Sequence, residues 1–403
     1  MIPFSPPRID QKIIDEVTAA LKSGWITTGP RTKEFEKRIT SYCGNKSTIC
    51  LSSATAGLEI MLRWFGVGPG DEVIVPAYTY CASANVILHC GATPVMADIN
   101  EADFNASIAD IKSKITNKTK VIIPVDISGF PCDYDELMSL VSSDDISSKF
   151  SATTKEQQDL GRVLVLADAA HSFGAWYKGK RSGSLADVNI FSFHAVKNLS
   201  TAEGGAVCLN LPEPLNNDEV YKYLCMKTLH GQSKDALAKT QKGNWKYDVL
   251  EPGYKANMTD LQAAIGLVEL DRYDSENLVK RKEIFDVYQK FFSQFDWANT
   301  PMFKTEEKEG SYHLYFLRIN GIEEETRDAI IQKIFDQDVS VNVHFQPLPL
   351  LTAYKERGYD MKDYPKAYDS YKNVITLPVY FDLTTDQLTT ICNAVKESVE
   401  STL

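Results

Sequence analysis

Ser192-Phe193-His194-Ala195-Val196-Lys197-Asn198-Leu199-Ser200-Thr201-Ala202-Glu203-Gly204-Gly205 lies between two apolar, β-prone runs, Val188-Asn189-Ile190-Phe191 and Ala206-Val207-Cys208-Leu209. Two strands therefore bracket a loop that presents one lysine, flanked by Ser192 and a glycine pair. A lysine at the carboxyl end of a buried strand loses its proton when desolvated and can attack an aldehyde. Taken alone, a loop lysine is more often a solvated surface residue. The rest of the chain has to decide between the two.

Upstream, Val163-Leu164-Val165-Leu166-Ala167 reads as a buried strand that delivers Asp168-Ala169-Ala170-His171 at its carboxyl end. Nearer the start, Ser47 to Leu51 is a short strand feeding Ser52-Ser53-Ala54-Thr55-Ala56-Gly57, then a helix with Leu58, Met61, Leu62 and Phe65 at helical spacing. Free backbone N–H groups, the helix dipole and the Thr55 hydroxyl make that turn an anion site. Serine and threonine caps are common, so the turn is weak evidence alone. Asp71 to Pro76 is a further strand ending at Tyr80, and 93–98 and 121–126 follow with helical stretches between. This β/α alternation of nearly continuous apolar strands predicts an α/β fold with a mostly parallel sheet covered by helices. Ligands in such sheets sit outside the carboxyl ends of the strands. Neither G-x-G-x-x-G nor G-x-x-x-x-G-K-[ST] occurs in the turn, which weighs against dinucleotide or NTP binding.

Elsewhere, 9–22 reads as an amphipathic helix with Ile13, Val17 and Leu21 on one face, broken before Trp25 to Thr28 by Gly24. A second helix follows over 31–43, and the polar segment 142–159 reads as a mobile surface insertion, helical at best. Residues 219–230 read as helix and 231–252 as loop. Thr259 is a candidate N-cap for one long helix from Leu261 to about Phe292. Strands over 312–319 and 339–343 and helices over 323–335 and 385–398 complete a smaller α+β region. The expected division is a large domain over 1–260 and a small one over 261–403.

With 43% hydrophobic and 24% charged residues among 403, the composition is that of a globular protein. The net charge of −11 and the lack of basic runs or zinc-like spacings speak against nucleic-acid binding and against a metal site. Eight scattered cysteines without a CxxC suggest reduced thiols and a cytoplasmic location. No signal peptide or membrane span is expected.

Three strand ends now suit one cofactor, pyridoxal 5'-phosphate (PLP), which needs a lysine, an acid and an anion cradle. Lys197 offers a Schiff base, Asp168 a partner for the pyridine nitrogen, and the 52–57 turn with Ser192 a phosphate site. Tyr80 is placed to stack on the ring.

The chain resembles the PLP-dependent nucleotide-sugar aminotransferases of the DegT/DnrJ/StrS family over nearly its whole length. GWITTGP at 24–30, SSATAGL at 52–58, DAAHSFG at 168–174, FSFHAVKN at 191–198, EGG at 203–205 and GYKANMTDLQAAIG at 253–266 carry the resemblance. The wording is closest to the enzymes of 4-amino-4-deoxy-L-arabinose synthesis. The resemblance implies a fold type I aminotransferase with a mainly parallel seven-stranded sheet and a homodimer with shared sites. It implies Lys197 as the Schiff-base lysine, Asp168 on the pyridine nitrogen and His171 near the ring hydroxyl. Ala54, Thr55 and Ser192 would hold the phosphate, with Asn257 (or Lys255) crossing from the other subunit. Trp25, Thr27, Thr28 and His344 would lie near the sugar or the dimer seam. The implied reaction is amination of a nucleotide-linked keto-sugar, at C4 of a 4-keto sugar, with L-glutamate as donor. A PLP-dependent sugar dehydratase and a non-catalytic PLP-binding regulator are the alternatives. Some relatives that are dehydratases carry histidine in place of the lysine, so Lys197 disfavours the first.

Overall fold

The computed structural model describes residues 1–234 and 246–403. Of the 231–252 stretch expected as loop, residues 235–245 lie outside the described residues. The central sheet has seven strands: β1 (Ser47–Leu51), β2 (Glu72–Pro76), β3 (Thr93–Ala97), β4 (Thr119–Ile122), β5 (Leu164–Asp168), β6 (Val188–Ser192) and β7 (Gly205–Leu209). Their order is β1-β7-β6-β5-β4-β2-β3. β7 runs antiparallel to β1 and β6, and the remaining neighbours pair in parallel. The strands are buried nearly end to end, as two-sided helical cover requires.

The reversal of β7 matters for the site. Its first residue, Gly205, pairs with both Leu51 and Ser192, so three chain segments end abreast on one edge. A Cβ at Gly205 would stand 2.4 Å from the Ala54 nitrogen and 2.5 Å from the Ser53 carbonyl carbon. Only glycine lets β7 run this close under the turn after β1.

The principal helices are α1 (Gln11–Ser23), α2 (Pro30–Cys43), α3 (Ala54–Trp64), α4 (Ala82–His89), α5 (Asn217–Lys227), α6 (Asp260–Asp271), α7 (Leu278–Phe292), α8 (Glu324–Phe335) and α9 (Thr385–Glu400). α6 and α9 each start with a reciprocal capping box, Thr259–Gln262 and Thr384–Gln387. A second sheet, β8 (Ala298–Asn299), β9 (Tyr315–Ile319) and β10 (Val374–Leu377), is antiparallel. It shares a separate apolar core with α7, α8 and α9, including Phe285, Leu317, Ile330, Ile375 and Val395.

Four local expectations are corrected. α1 buries Ile13 and Ala20 while Leu21 stays 55% exposed. α1 packs against the neighbouring α6, and the small Ala20, not Leu21, is buried. The long helix breaks between α6 and α7 at a π-turn over Tyr273–Asn277. There Arg272 turns inward to pair with Glu269 and Asp10, Asn277 donates to Glu269 at 3.0 Å, and Tyr273 donates to the Phe173 carbonyl at 2.6 Å. The 142–159 segment is docked rather than loose: Ile146 and Gln157 are buried, and Gln157 donates to the Phe65 carbonyl at 2.7 Å. The expected strand over 339–343 is reduced to isolated bridges, Val339 with Ile2 and Asn342 with Thr376.

α2 is capped from a distance. Pro30 opens it, and the buried Asp260 carboxylate accepts from the N–H groups of Gly29, Arg31 and Thr32 and from the Thr32 hydroxyl, at 2.7–3.1 Å. A carboxylate at a helix N-terminus is favoured by the dipole as well. Asp260→Ala strands these donors and should cost about 2–4 kcal/mol. The expected result is a lowered thermal midpoint, with a smaller drop for Asp260→Asn, which keeps an acceptor oxygen.

Candidate active site

The turn after β1 behaves as a helix N-terminus should. Ser53 is the N-cap of α3, its hydroxyl accepting from the Ala56 N–H at 3.1 Å. The N–H groups of Ala54 and Thr55 thus lack an intrahelical acceptor and carry the positive end of the helix dipole. Ser192, at the end of β6, lies beside them across Gly205.

Asp168, the last residue of β5, is buried and tightly held. Ser83 of α4 donates to its Oδ2 at 2.7 Å and the Ala170 N–H to its Oδ1 at 3.2 Å. Burial pushes its carboxyl up, and these two donors and the Lys197 charge oppose that. Lys197 stands in the loop between β6 and β7, partly covered and facing the cavity. Desolvation pulls its ammonium down to about 8, with Asp168 acting the other way. That brings a lysine within reach of neutrality at physiological pH.

Two buried imidazoles adjoin the lysine. His171 and His313 lie with ring centroids 4.5 Å apart. Burial holds both well below the usual histidine range, helped at His171 by the Lys197 charge and at His313 by His171 and then Lys197. Asn198 fixes the His313 tautomer: its Nδ2 donates to the Ser311 carbonyl at 2.7 Å, which turns its Oδ1 toward His313 Nδ1, 2.7 Å away. His313 Nδ1 therefore carries the proton. His344 is pushed down to about 4 by burial and by Lys197. Nδ1 of His171 and of His344 are buried without a hydrogen-bond partner.

These groups line one cavity of about 540 Å³ at the carboxyl edge of the sheet. Of the residues singled out from sequence, Ala54, Thr55, Tyr80, Asp168, His171, Ser192, Lys197 and His344 border it. Trp25, Thr27, Thr28 and Asn257 do not. Thr28 and Asn257 meet beside the β1 end, where Asn257 donates to the Thr28 hydroxyl at 2.6 Å and Lys255 donates to Asn257 Oδ1 at 2.6 Å. Asn257 also bridges to Leu51. Tyr80 is 59% exposed and leans on Phe345 at 5.7 Å. Sequence reasoning missed Ser83, His313, Phe345 and the N-terminal Phe4 and Ser5, all at or against the cavity. For His313 the only signal was its place in Tyr312 to Ile319, between apolar neighbours.

The residues meet the demands of PLP in chemistry. A desolvated lysine, a buried carboxylate and a donor-lined turn share the cavity, and the missing side chain at Gly205 leaves that turn open.

A model of the DegT/DnrJ/EryC1/StrS aminotransferase family matches residues 7–396. The putative sugar aminotransferase Spr1654 from Streptococcus pneumoniae, solved in a PMP form, superposes with a TM-score of 0.96 at 49% identity, covering 100% of both chains. Its PLP form gives 0.94 at 47% identity, covering 100% of this chain and 99% of that one. The chain is 37% identical to the uncharacterized protein MJ1066 of Methanocaldococcus jannaschii, covering 99% of this chain and 97% of the other. It is 36% identical to the spore coat polysaccharide biosynthesis protein SpsC of Bacillus subtilis, with the same coverage.

The lysine's titration is directly measurable. Labelling of the cofactor-free chain with trinitrobenzenesulfonate, read at Lys197 by peptide mass spectrometry, should rise with pH around a midpoint of about 8. Asp168→Asn removes the charge that favours the ammonium, so the midpoint should move down. A midpoint near that of an ordinary exposed lysine would contradict the desolvated environment.

Proposed function

The chain belongs to the DegT/DnrJ/EryC1/StrS aminotransferase family, and we propose that it moves an amino group from L-glutamate to C4 of a nucleotide-linked 4-keto sugar, for amino-sugar and polysaccharide biosynthesis. The observation that carries this reading is the meeting of Lys197, Asp168 and the 53–55 turn in one cavity. The likeness to a putative sugar aminotransferase and to a polysaccharide biosynthesis protein supports the substrate class. The cavity volume suits a sugar-sized group.

Pyridoxal 5'-phosphate is the cofactor, and when bound it supplies an electron sink for the charge left on carbon as a proton departs. Lys197 would hold it through Nζ, and its free amine would serve to take and return a proton. An amine with a pKa of about 8 is matched to both roles near neutral pH. Asp168, its carboxylate aimed by Ser83 and Ala170, would keep the ring nitrogen protonated. The Ala54 and Thr55 N–H groups and the Ser192 hydroxyl cradle the phosphate. His171, neutral through burial, would stand near the ring hydroxyl, and Tyr80 would cover a ring face. His344 faces the acceptor.

The protein works as a cytoplasmic homodimer in this reading, with Asn257, steadied by Lys255, reaching the partner's phosphate. Trp25, Thr27 and Thr28 line the seam. The same reading divides the chain into a large PLP-binding domain over 1–260 and a small one over 261–403, and the apolar core drawn from Ile284 to Val399 supports the small one.

A panel of UDP-, dTDP- and GDP-linked keto-sugars with L-glutamate, product position read by NMR, tests the reaction. Lys197→Ala should lower turnover by at least about a thousandfold. Product released without transfer of nitrogen would instead mark a dehydratase. Shared sites have their own test. Mixing inactive Lys197→Ala and Asn257→Ala chains after partial unfolding and refolding should restore a measurable fraction of activity. No recovery would place each site within one chain.

A further inference from the structure

The first eight residues form a strap fixed at both ends to the C-terminal region. Ile2 donates its N–H to the Asp338 carbonyl at 2.7 Å and accepts from the Ser340 N–H at 3.0 Å, a short parallel bridge beside Val339. At the other end Arg8 pairs with Glu276 at 2.6 Å, and its guanidinium carbon lies 3.7 Å from the centroid of the Phe381 ring. Pro6 and Pro7 keep the intervening backbone extended. Between these anchors Phe4 and Ser5 border the cavity, and the Ser5 hydroxyl is 3.4 Å from the Val196 carbonyl, next to Lys197.

Phe4 stacks on His344 with centroids 5.4 Å apart and planes at 27°. His344 meets Phe345 edge-on at 5.1 Å, and Phe345 stacks on His171 at 5.8 Å. An aromatic wall therefore crosses the cavity from the strap to the imidazole beside the lysine. Such a wall offers π-faces to an apolar surface while its imidazoles offer polar edges. A pyranose ring has that pair of features, a face of C–H groups and a rim of hydroxyls.

We propose that the N-terminal strap forms the acceptor wall of this cavity and that Phe4 is a specificity residue, its ring resting against the C–H face of the acceptor sugar. The proposal rests on the sugar-aminotransferase reading above. A glutamate side chain offers no such face, so Phe4 discriminates between the two substrates of the reaction.

Steady-state kinetics with both substrates varied tests it, using the nucleotide-linked keto-sugar that wild type turns over fastest in the panel above. Loss of an aromatic stacking contact corresponds to about a three- to tenfold change in affinity. Phe4→Ala should raise the KM for the keto-sugar by that factor and the KM for L-glutamate by less than about twofold. Phe4→Tyr should restore the wild-type value. Should Phe4→Ala be unstable, Phe4→Leu keeps most of the volume without the π-face and should still raise the acceptor KM. Equal rises in both KM values, or none, would overturn the proposal while leaving the aminotransferase reading intact. A wild-type protein that turns over no member of the panel would sink both.

Discussion

An ammonium and a carboxylate share a largely dehydrated space at the carboxyl edge of this sheet, and much of the molecule serves to keep them there. Burial drives Lys197 down and Asp168 up, and each holds the other partly charged. Neither could remain without supports. Ser83 and the Ala170 N–H fix the carboxylate, and Asn198, gripped by the Ser311 carbonyl and His313, fixes the residue after the lysine. Behind them the buried Asp126 accepts from Ser172, Tyr134 and the Cys132 N–H, which sets the chain that leaves His171 in place. Buried polar groups of this kind are costly unless fully partnered, so the partners come from many parts of the chain.

What could be read from the sequence was what local physics encodes. Continuous apolar runs marked β1, β5 and β6, and the small-residue turn before α3 and the lysine loop stood out because each interrupts such a run. The structure brings eight of the residues chosen that way around a single cavity. What escaped depends on contacts between distant segments. Asn198 and His313 are 115 positions apart, and Ser83 and Asp168 are 85. The break between α6 and α7 was invisible for the same reason. Tyr273, Glu269 and Arg272 fit a helical pattern, and only their distant partners, Phe173 and Asp10, turn the chain. The face of α1 was misjudged because side-chain size alone favours Leu21 over Ala20, whereas closely approaching helices favour the smaller residue.

The cavity is also a joint. Its floor belongs to the seven-stranded sheet, but His313, His344 and Phe345 come from the later part of the chain, and so do both anchors of the strap. The hydrogen bond from Asn198 to the Ser311 carbonyl ties the loop of the lysine to that later part. The residues around the lysine are therefore contributed from both sides of one seam.

The strap has a practical side. Its bridge begins at Ile2, and Phe4 already borders the cavity. An affinity tag joined at residue 1 would be anchored at the rim of the reaction chamber, and its bulk would bear on the contacts that seat the strap. Leu403, by contrast, is 64% exposed just past the end of α9 and is not among the residues that border the cavity. Purification handles, surface immobilisation and fluorescent fusions for this protein belong there.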